Sequence, residues 1–289
     1  SLILGLLCFF SSMIITNDVA LITFVPFTIT VLKISEKTDK LIWIISVETV
    51  AANLGSMITP IGNPQNLYLF SSFNMNITDF FVTILPYAVL SLFLVVIFSI
   101  ASGKGKIDFK SSDCKYEFSR LHIGMFVFLF FLSLMTVFRI IPYGLTVAIT
   151  LIVLLFADRK ALQKVDYSLL LTFVFLFIFI GNLGKIESIS DALKTVVKGN
   201  EVIIGVLSSQ VISNVPAAIL LSKFTENFRD LLIGVNLGGL GTLIASMASL
   251  ISFKFIAKEN TKTVKYIFTF TAINIVFLLL NLCLWFIIK

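Results

Sequence analysis

Asn53-Leu54-Gly55-Ser56-Met57-Ile58-Thr59-Pro60-Ile61 and Asn236-Leu237-Gly238-Gly239-Leu240-Gly241-Thr242-Leu243-Ile244 agree at five of nine positions, although they lie in opposite halves of the chain. Each interrupts a long apolar run with glycine, proline or polar residues. Each also follows an asparagine-centred break in an earlier apolar run, Thr16-Asn17-Asp18 in the first half and Ser213-Asn214-Val215 in the second. The unit of a broken hairpin followed by a broken helix therefore occurs twice. Inside a bilayer, irregular backbone is tolerated only where it is buried in protein or lines a polar cavity. Apolar segments interrupted at corresponding places in two halves are a sequence-level sign of a transport site.

The setting of these motifs is a membrane. The chain has 289 residues, is 58% hydrophobic and contains 30 Phe, with a mean hydropathy of +1.03, outside the range of soluble domains. Apolar runs recur from end to end, which predicts one polytopic all-α membrane domain over 1–289, placed in the plasma (inner) membrane. No cleavable leader is recognisable, because the opening residues lack a basic flank. The net charge of +6 does not call for nucleic acid, since Lys and Arg accumulate in cytoplasmic loops.

A membrane-spanning helix needs about 20 apolar residues. The runs 2–15 and 19–32 hold 14 residues each, roughly 21 Å as helix. A re-entrant hairpin with Asn17 and Asp18 at its tip is the economical reading, and a single kinked span is the alternative. The runs 202–212 and 215–221 repeat the pattern around Ser213 and Asn214, with Pro216 placed to open the returning arm. The runs 41–72 and 231–255 are broken spans. Less interrupted spans are expected at 80–101, where Pro86 only bends the helix, and at 121–138, 143–156, 169–183 and 264–288. Gly181 and Gly184 suit close helix packing.

Alternating these spans sorts the basic residues. Lys33, Lys37, Lys40, Lys104, Lys106, Lys110, Lys115, Arg120, Arg159, Lys160, Lys164, Lys254, Lys258, Lys262 and Lys265 fall on one side. Arg139, Lys185, Lys194, Lys198, Lys223, Arg229 and Lys289 fall on the other. The richer side is assigned to the cytoplasm. The first hairpin then enters from the cytoplasm and the second from outside, so the repeats are inverted in topology: 1–102 an incomplete first repeat, 103–119 a cytoplasmic linker, 120–289 the second. By that symmetry roughly 80 further residues are expected to precede Ser1, making the chain N-terminally truncated.

Several residues offer chemistry. The Asn17 and Asn214 amides can cap helices or ligate a hard cation. Asp18 is costly at the bilayer centre, about 2.5–3.5 kcal/mol on an insertion scale, and either caps the following half-helix or takes up a proton or sodium ion. Glu48 lies about 10 Å into an apolar run and is a second candidate coupling carboxylate. Half-helix N-termini favour anions, and unwound carbonyls favour cations. Gly55, Gly62, Gly238, Gly239 and Gly241 allow close backbone approach, and Ser56, Thr59, Asn63 and Thr242 add side-chain oxygens. Asn53 and Asn236 open the two breaks.

Enzyme chemistry is not expected. No phosphate-binding loop is present, and Ile244 replaces the third glycine after Gly239 and Gly241. Cys8, Cys114 and Cys283 read as ordinary small apolar residues with no metal-ligand spacing, and His122 as an interfacial histidine.

The quoted motifs, with Thr59-Pro60-Ile61-Gly62-Asn63-Pro64 and Ser213-Asn214-Val215-Pro216-Ala217, resemble the ion transporter superfamily. That group includes citrate-transporter-like permeases, arsenite permeases, sodium/proton antiporters and divalent anion:sodium symporters. The resemblance implies a scaffold and a moving transport domain, an elevator-type cycle and a homodimer. It places an ion site at Asn17 with the 53–59 break, and a mirror site at Ser213 and Asn214 with the 236–242 break. Sodium is the only cofactor it suggests, at Asn17/Asn53 and Asn214/Asn236. The dicarboxylate symporters typically carry Ser-Asn-Thr at both tips. Asp18 and Val215 depart from that, so the resemblance leans toward the arsenite-permease-like branch. The expected function is secondary transport of a small anion or oxyanion coupled to protons or sodium. The alternatives are a sodium-coupled carboxylate symporter, a sodium/proton antiporter, or a channel or scaffold.

Overall fold

The structure is a computed structural model that describes residues 1–101, 120–165, 167–183, 186–259 and 263–289. The stretch read as a linker, with its lysines and Cys114, lies outside the described residues, as do Gly184, Lys185 and Lys262. The protein is an all-α polytopic membrane protein, and no strand occurs among the described residues. The described residues divide into two compact units, Ser1–Ile107 with Phe179–Lys289, and Asp108–Ile178.

The first unit opens with α1 (Leu2–Ile15) and α2 (Asn17–Ile34), which pack against each other as a hairpin rather than running on as one kinked span. α2 has 18 residues, four more than the apolar run, because the polar tip and Lys33 are absorbed into its two ends. Next come α3 (Leu41–Ser56), α4 (Pro64–Ser72) and α5 (Ile77–Ala101), the last running through Pro86 as anticipated.

The second unit holds α6 (Arg120–Val137), α7 (Tyr143–Ala157), the short α8 (Arg159–Gln163) and most of α9 (Tyr167–Leu183). α6 packs on α7, with the hydroxyls of Thr136 and Thr146 in hydrogen-bond contact. Gly181 has open space where a Cβ would stand, so the close packing expected there is not found.

The first unit then resumes with α10 (Glu187–Val197), α11 (Glu201–Ile212), α12 (Asn214–Leu221), α13 (Phe228–Leu237), α14 (Met247–Lys258) and α15 (Thr263–Ile288). Pro216 sits in the first turn of α12 rather than at its first residue.

Burial explains the centre of this unit. Every residue of α3 from Ile44 to Ser56 is buried, wrapped by α1, α2, α5, α14 and α15. In α13 the run from Leu231 to Leu237 is likewise buried, against α11, α12 and α4. The outer helices are apolar on the opposite face. Val82, Leu85, Val89, Phe93, Ile97 and Ile100 form an exposed stripe along α5 at helical spacing. In water such a stripe would drive aggregation, whereas a bilayer accommodates it.

The two hairpins open at opposite ends of α5. At its C-terminal end the Ser1 hydroxyl donates to the Ser99 carbonyl at 2.6 Å and the Trp43 indole to the Phe98 carbonyl at 3.0 Å. Lys33 of α2 and Glu259 just past α14 form an ion pair. At the N-terminal end Asp79 pairs with Arg229 at 2.7 Å, and Phe73 packs on Phe228. The mouth of the first hairpin and the start of α3 therefore share one end. The exit of α12 and the start of α13 share the other.

Candidate functional site

Two residues set the hairpin tips. Thr16 joins α1 to α2 at φ 70°, ψ 154°, and Ser213 joins α11 to α12 at φ 72°, ψ 154°. The two tips have nearly the same backbone, in a region that is essentially glycine-only. Neither residue is glycine. Holding a side chain there costs about 1–3 kcal/mol per site, and such strain persists only where the surroundings over-determine it.

The tip asparagines then point to the breaks. The Asn17 backbone N–H donates to the Gly62 carbonyl at 3.2 Å, and its side-chain Nδ2 donates to Asn53 Oδ1 at 3.1 Å. Asn53 Nδ2 in turn reaches the Gly239 carbonyl at 3.5 Å. Asn214 Nδ2 lies 2.8 Å from where a Cβ on Gly239 would stand. Both tips thus converge on the contact between Asn53 and Gly239.

The breaks are tied to each other reciprocally. Asn53 accepts from Ser246 Oγ at 3.1 Å and donates to Ser249 Oγ at 3.5 Å. Asn236 accepts from Asn63 Nδ2 at 3.1 Å and donates to Asn66 Oδ1 at 2.7 Å. Asn63 and Ser246 are the residues that precede α4 and α14, both with extended backbone. Each broken helix therefore presents its asparagine to the restart of the other. All six residues are buried. A buried amide left without partners costs about 1–3 kcal/mol, so the pairing fixes the two breaks in mutual register.

The remaining predicted residues take definite places. The Ser56 hydroxyl donates to the Asn53 carbonyl at 2.9 Å and accepts from Asn63 Nδ2 at 3.2 Å. The Thr59 hydroxyl donates to the Met13 carbonyl of the first hairpin. Gly62 carries the carbonyl that meets Asn17 and has no room for a Cβ. Gly55 and Gly238 serve helix packing: an added Cβ would stand 2.6 Å from Ser12 Oγ and 2.5 Å from Ser209 Oγ respectively. Gly241 adopts φ +110°, which only glycine takes readily. Thr242 is exposed and offers its backbone N–H to Gln210. Asp18 is partly exposed in the first turn of α2, its N–H donating to Asn17 Oδ1 at 3.0 Å. Glu48 stands apart from the asparagine cluster. It is fully buried and takes a 2.6 Å hydrogen bond from the Thr28 hydroxyl, and its Oε2 has no partner.

Sequence reasoning did not single out Asn66, Ser246, Ser249 or Gln210. Asn66 Nδ2 donates to the Met57 and Thr59 carbonyls at 3.0 and 3.1 Å. Gln210 Nε2 does the same at the second break, to the Gly238 and Leu240 carbonyls at 3.0 and 2.8 Å, while its Oε1 takes the Thr242 N–H at 3.0 Å. At both breaks a carboxamide satisfies main-chain carbonyls that unwinding has freed.

The arrangement concentrates helix ends. The positive N-termini of α2, α12, α4 and α14 and the negative C-termini of α1, α11, α3 and α13 all lie at the tips and breaks. Amides and hydroxyls surround them, with the Asp18 carboxylate in the first turn of α2, a setting suited to holding a small ion chiefly through backbone dipoles.

The comparison with known proteins agrees with a transport role. The family model described as citrate transporter matches residues 1–228. The chain is 36% identical over 255 residues to the uncharacterized transporter MJ0456 of Methanocaldococcus jannaschii, covering 86% of this chain and 68% of that protein. It is 31% identical over 252 residues to the inner membrane protein YbiR of Escherichia coli, covering 84% of this chain and 66% of that protein. The chain thus spans about two thirds of the length of these relatives.

Proposed function

The chain belongs to the citrate transporter family, and from that premise we propose that it is a secondary transporter of a small anion, driven by the proton gradient across the plasma (inner) membrane. The substrate class is a carboxylate such as citrate or an oxyanion such as arsenite. The reciprocal pairing of Asn53 with Ser246 and Ser249, and of Asn236 with Asn63 and Asn66, carries this reading. It supports two inverted repeats meeting at one shared polar centre, with half-helix N-termini available to an anion.

Proton rather than sodium coupling rests on the carboxamides. The main-chain oxygens freed at either break already accept from Asn66 and Gln210, which lowers their need for a sodium ion without removing their second lone pairs. A proton needs only a carboxylate. Asp18 at a tip and Glu48, enclosed beside Thr28, are the candidates. We assign the two compact units to a scaffold and a moving transport domain, and take the homodimer from the family resemblance alone.

Reconstituted protein provides the test. Labelled citrate and arsenite are offered to proteoliposomes under an imposed pH gradient, with choline replacing sodium. Uptake of one of them is expected, lost in Asp18→Asn protein that still reaches the membrane, and uncoupled from the pH gradient in Glu48→Gln. Flux that requires sodium would replace the proton with sodium. Flux that never runs uphill would make the protein a channel.

A further inference from the structure

Outside the asparagine cluster, the mouth of the second hairpin holds a cleft of about 670 Å³, within the size range of small-ligand sites. Lys194, Lys198 and Lys223 line it, together with Glu201, Thr225 and Glu226. Three ammonium groups around one cleft would ordinarily indicate a plain anion site. Glu201 argues against that. It is 3% exposed, its Oε1 accepts from the Thr225 hydroxyl at 2.8 Å, and its Oε2 is buried with no partner. A buried carboxylate oxygen without a donor is costly and calls for one. The pair Lys194–Asp191, at 3.6 Å with both side chains more than half exposed, is weak enough for Lys194 to exchange partners.

The position of the cleft narrows the ligand further. α10, which supplies Lys194, is strongly one-sided: its charged face carries Glu187, Asp191 and Lys194, while Ile186 and Val196 are exposed apolar groups beside it. Helices of this kind lie in the headgroup region of a bilayer. A ligand that offers a phosphate to the lysines and a primary ammonium to Glu201 satisfies every feature at once.

We propose that this cleft binds a phosphoethanolamine group, its phosphate held by Lys194, Lys198 and Lys223 and its ammonium drawn to the Glu201 carboxylate, which turns Oε2 toward the cleft to receive it. The group is carried either on a membrane lipid or as the free phosphomonoester. Lysine donates to phosphate as a flexible point charge, and a primary ammonium has three N–H donors where a quaternary one has none.

The test uses the full chain in nanodiscs of phosphatidylcholine alone, or with phosphatidylethanolamine or phosphatidylglycerol added. Native mass spectrometry reads the lipid retained, and a parallel arm titrates free O-phosphoethanolamine against thermal stability. Wild-type protein is expected to retain phosphatidylethanolamine over both other lipids. Glu201→Gln is expected to lower that retention roughly tenfold, by loss of a charge-assisted bond. The double variant Lys198→Gln/Lys223→Gln should lower retention of phosphatidylethanolamine and phosphatidylglycerol alike. Stabilisation by the free phosphomonoester without lipid retention would support the site and assign it to the soluble ligand. Equal retention of phosphatidylethanolamine and phosphatidylcholine by the wild type, with no response to the free phosphomonoester, would overturn the proposal.

Discussion

The asparagines at the breaks act as pairs, and their energetics should show it. Asn236→Ala takes one partner from Asn63, which keeps Ser56, and leaves Asn66 Oδ1 bare, so the purified protein is expected to lose about 1–3 kcal/mol. A double-mutant cycle between Asn63→Ala and Asn236→Ala, followed by unfolding in detergent, should return a coupling of roughly 0.5–3 kcal/mol. A coupling near zero would mean that the two breaks are not held by each other. Gly55→Ala makes a second residue-level prediction. The new methyl would stand 2.1 Å from the Phe9 carbonyl, and overpacking of that kind costs about 1–3 kcal/mol or more. Gly181→Ala is the control. With open space at its Cβ position, it is expected to gain about 0.5–1 kcal/mol from helix propensity.

Asn17, Asn53, Asn214 and Asn236 were legible in the sequence because polar side chains in apolar runs are expensive unless they have work to do. Asn66, Ser246, Ser249 and Gln210 were not. Asn66, Ser249 and Gln210 sit inside helices, where a polar residue reads as ordinary, and the partners that matter come from the other half of the chain. Matched spacing was the available signal: Asn63 follows Asn53 by the same ten residues that separate Ser246 from Asn236. The change from amide to hydroxyl concealed it.

Among the elements, the hairpins carry the clearest mechanical consequence. Thr16 and Ser213 share a backbone conformation that disfavours side chains. Thr16→Gly and Ser213→Gly should each release about 1–3 kcal/mol of strain, against an entropic cost of about 0.5–1 kcal/mol. The expected net gain is about 1 kcal/mol in unfolding free energy, accompanied by slower transport because the tip loses its fixed aim. A loss of stability in both variants would show that the tips are not strained. Helix type and break position followed from the length of the apolar runs and from Pro60, Gly62 and Gly238, which interrupt them. Element ends did not, since α2 takes in the polar tip as well as Lys33. The packing of Gly55 and Gly238 against Ser12 and Ser209 lay beyond pattern reading, because it depends on which helix crosses which.

At the scale of the whole molecule, the sorted charges predict two hairpins that enter from opposite faces, and the contacts at the two ends of α5 are what that arrangement would need. Ser1, Lys33 and Trp43 lie at one end, and Asp79 and Arg229 at the other. The account depends on this antiparallel placement of the two hairpins, because parallel copies could not bring Asn53 and Asn236 to each other's restarted helices from opposite sides. Site-directed labelling measures it directly. In a background with Cys8, Cys114 and Cys283 replaced, single cysteines at Glu36 and Glu226 would be treated with a membrane-impermeant maleimide in sealed right-side-out and inside-out vesicles. The account predicts that position 226 reacts only from outside and position 36 only from the cytoplasmic face; labelling of both from the same face would contradict it.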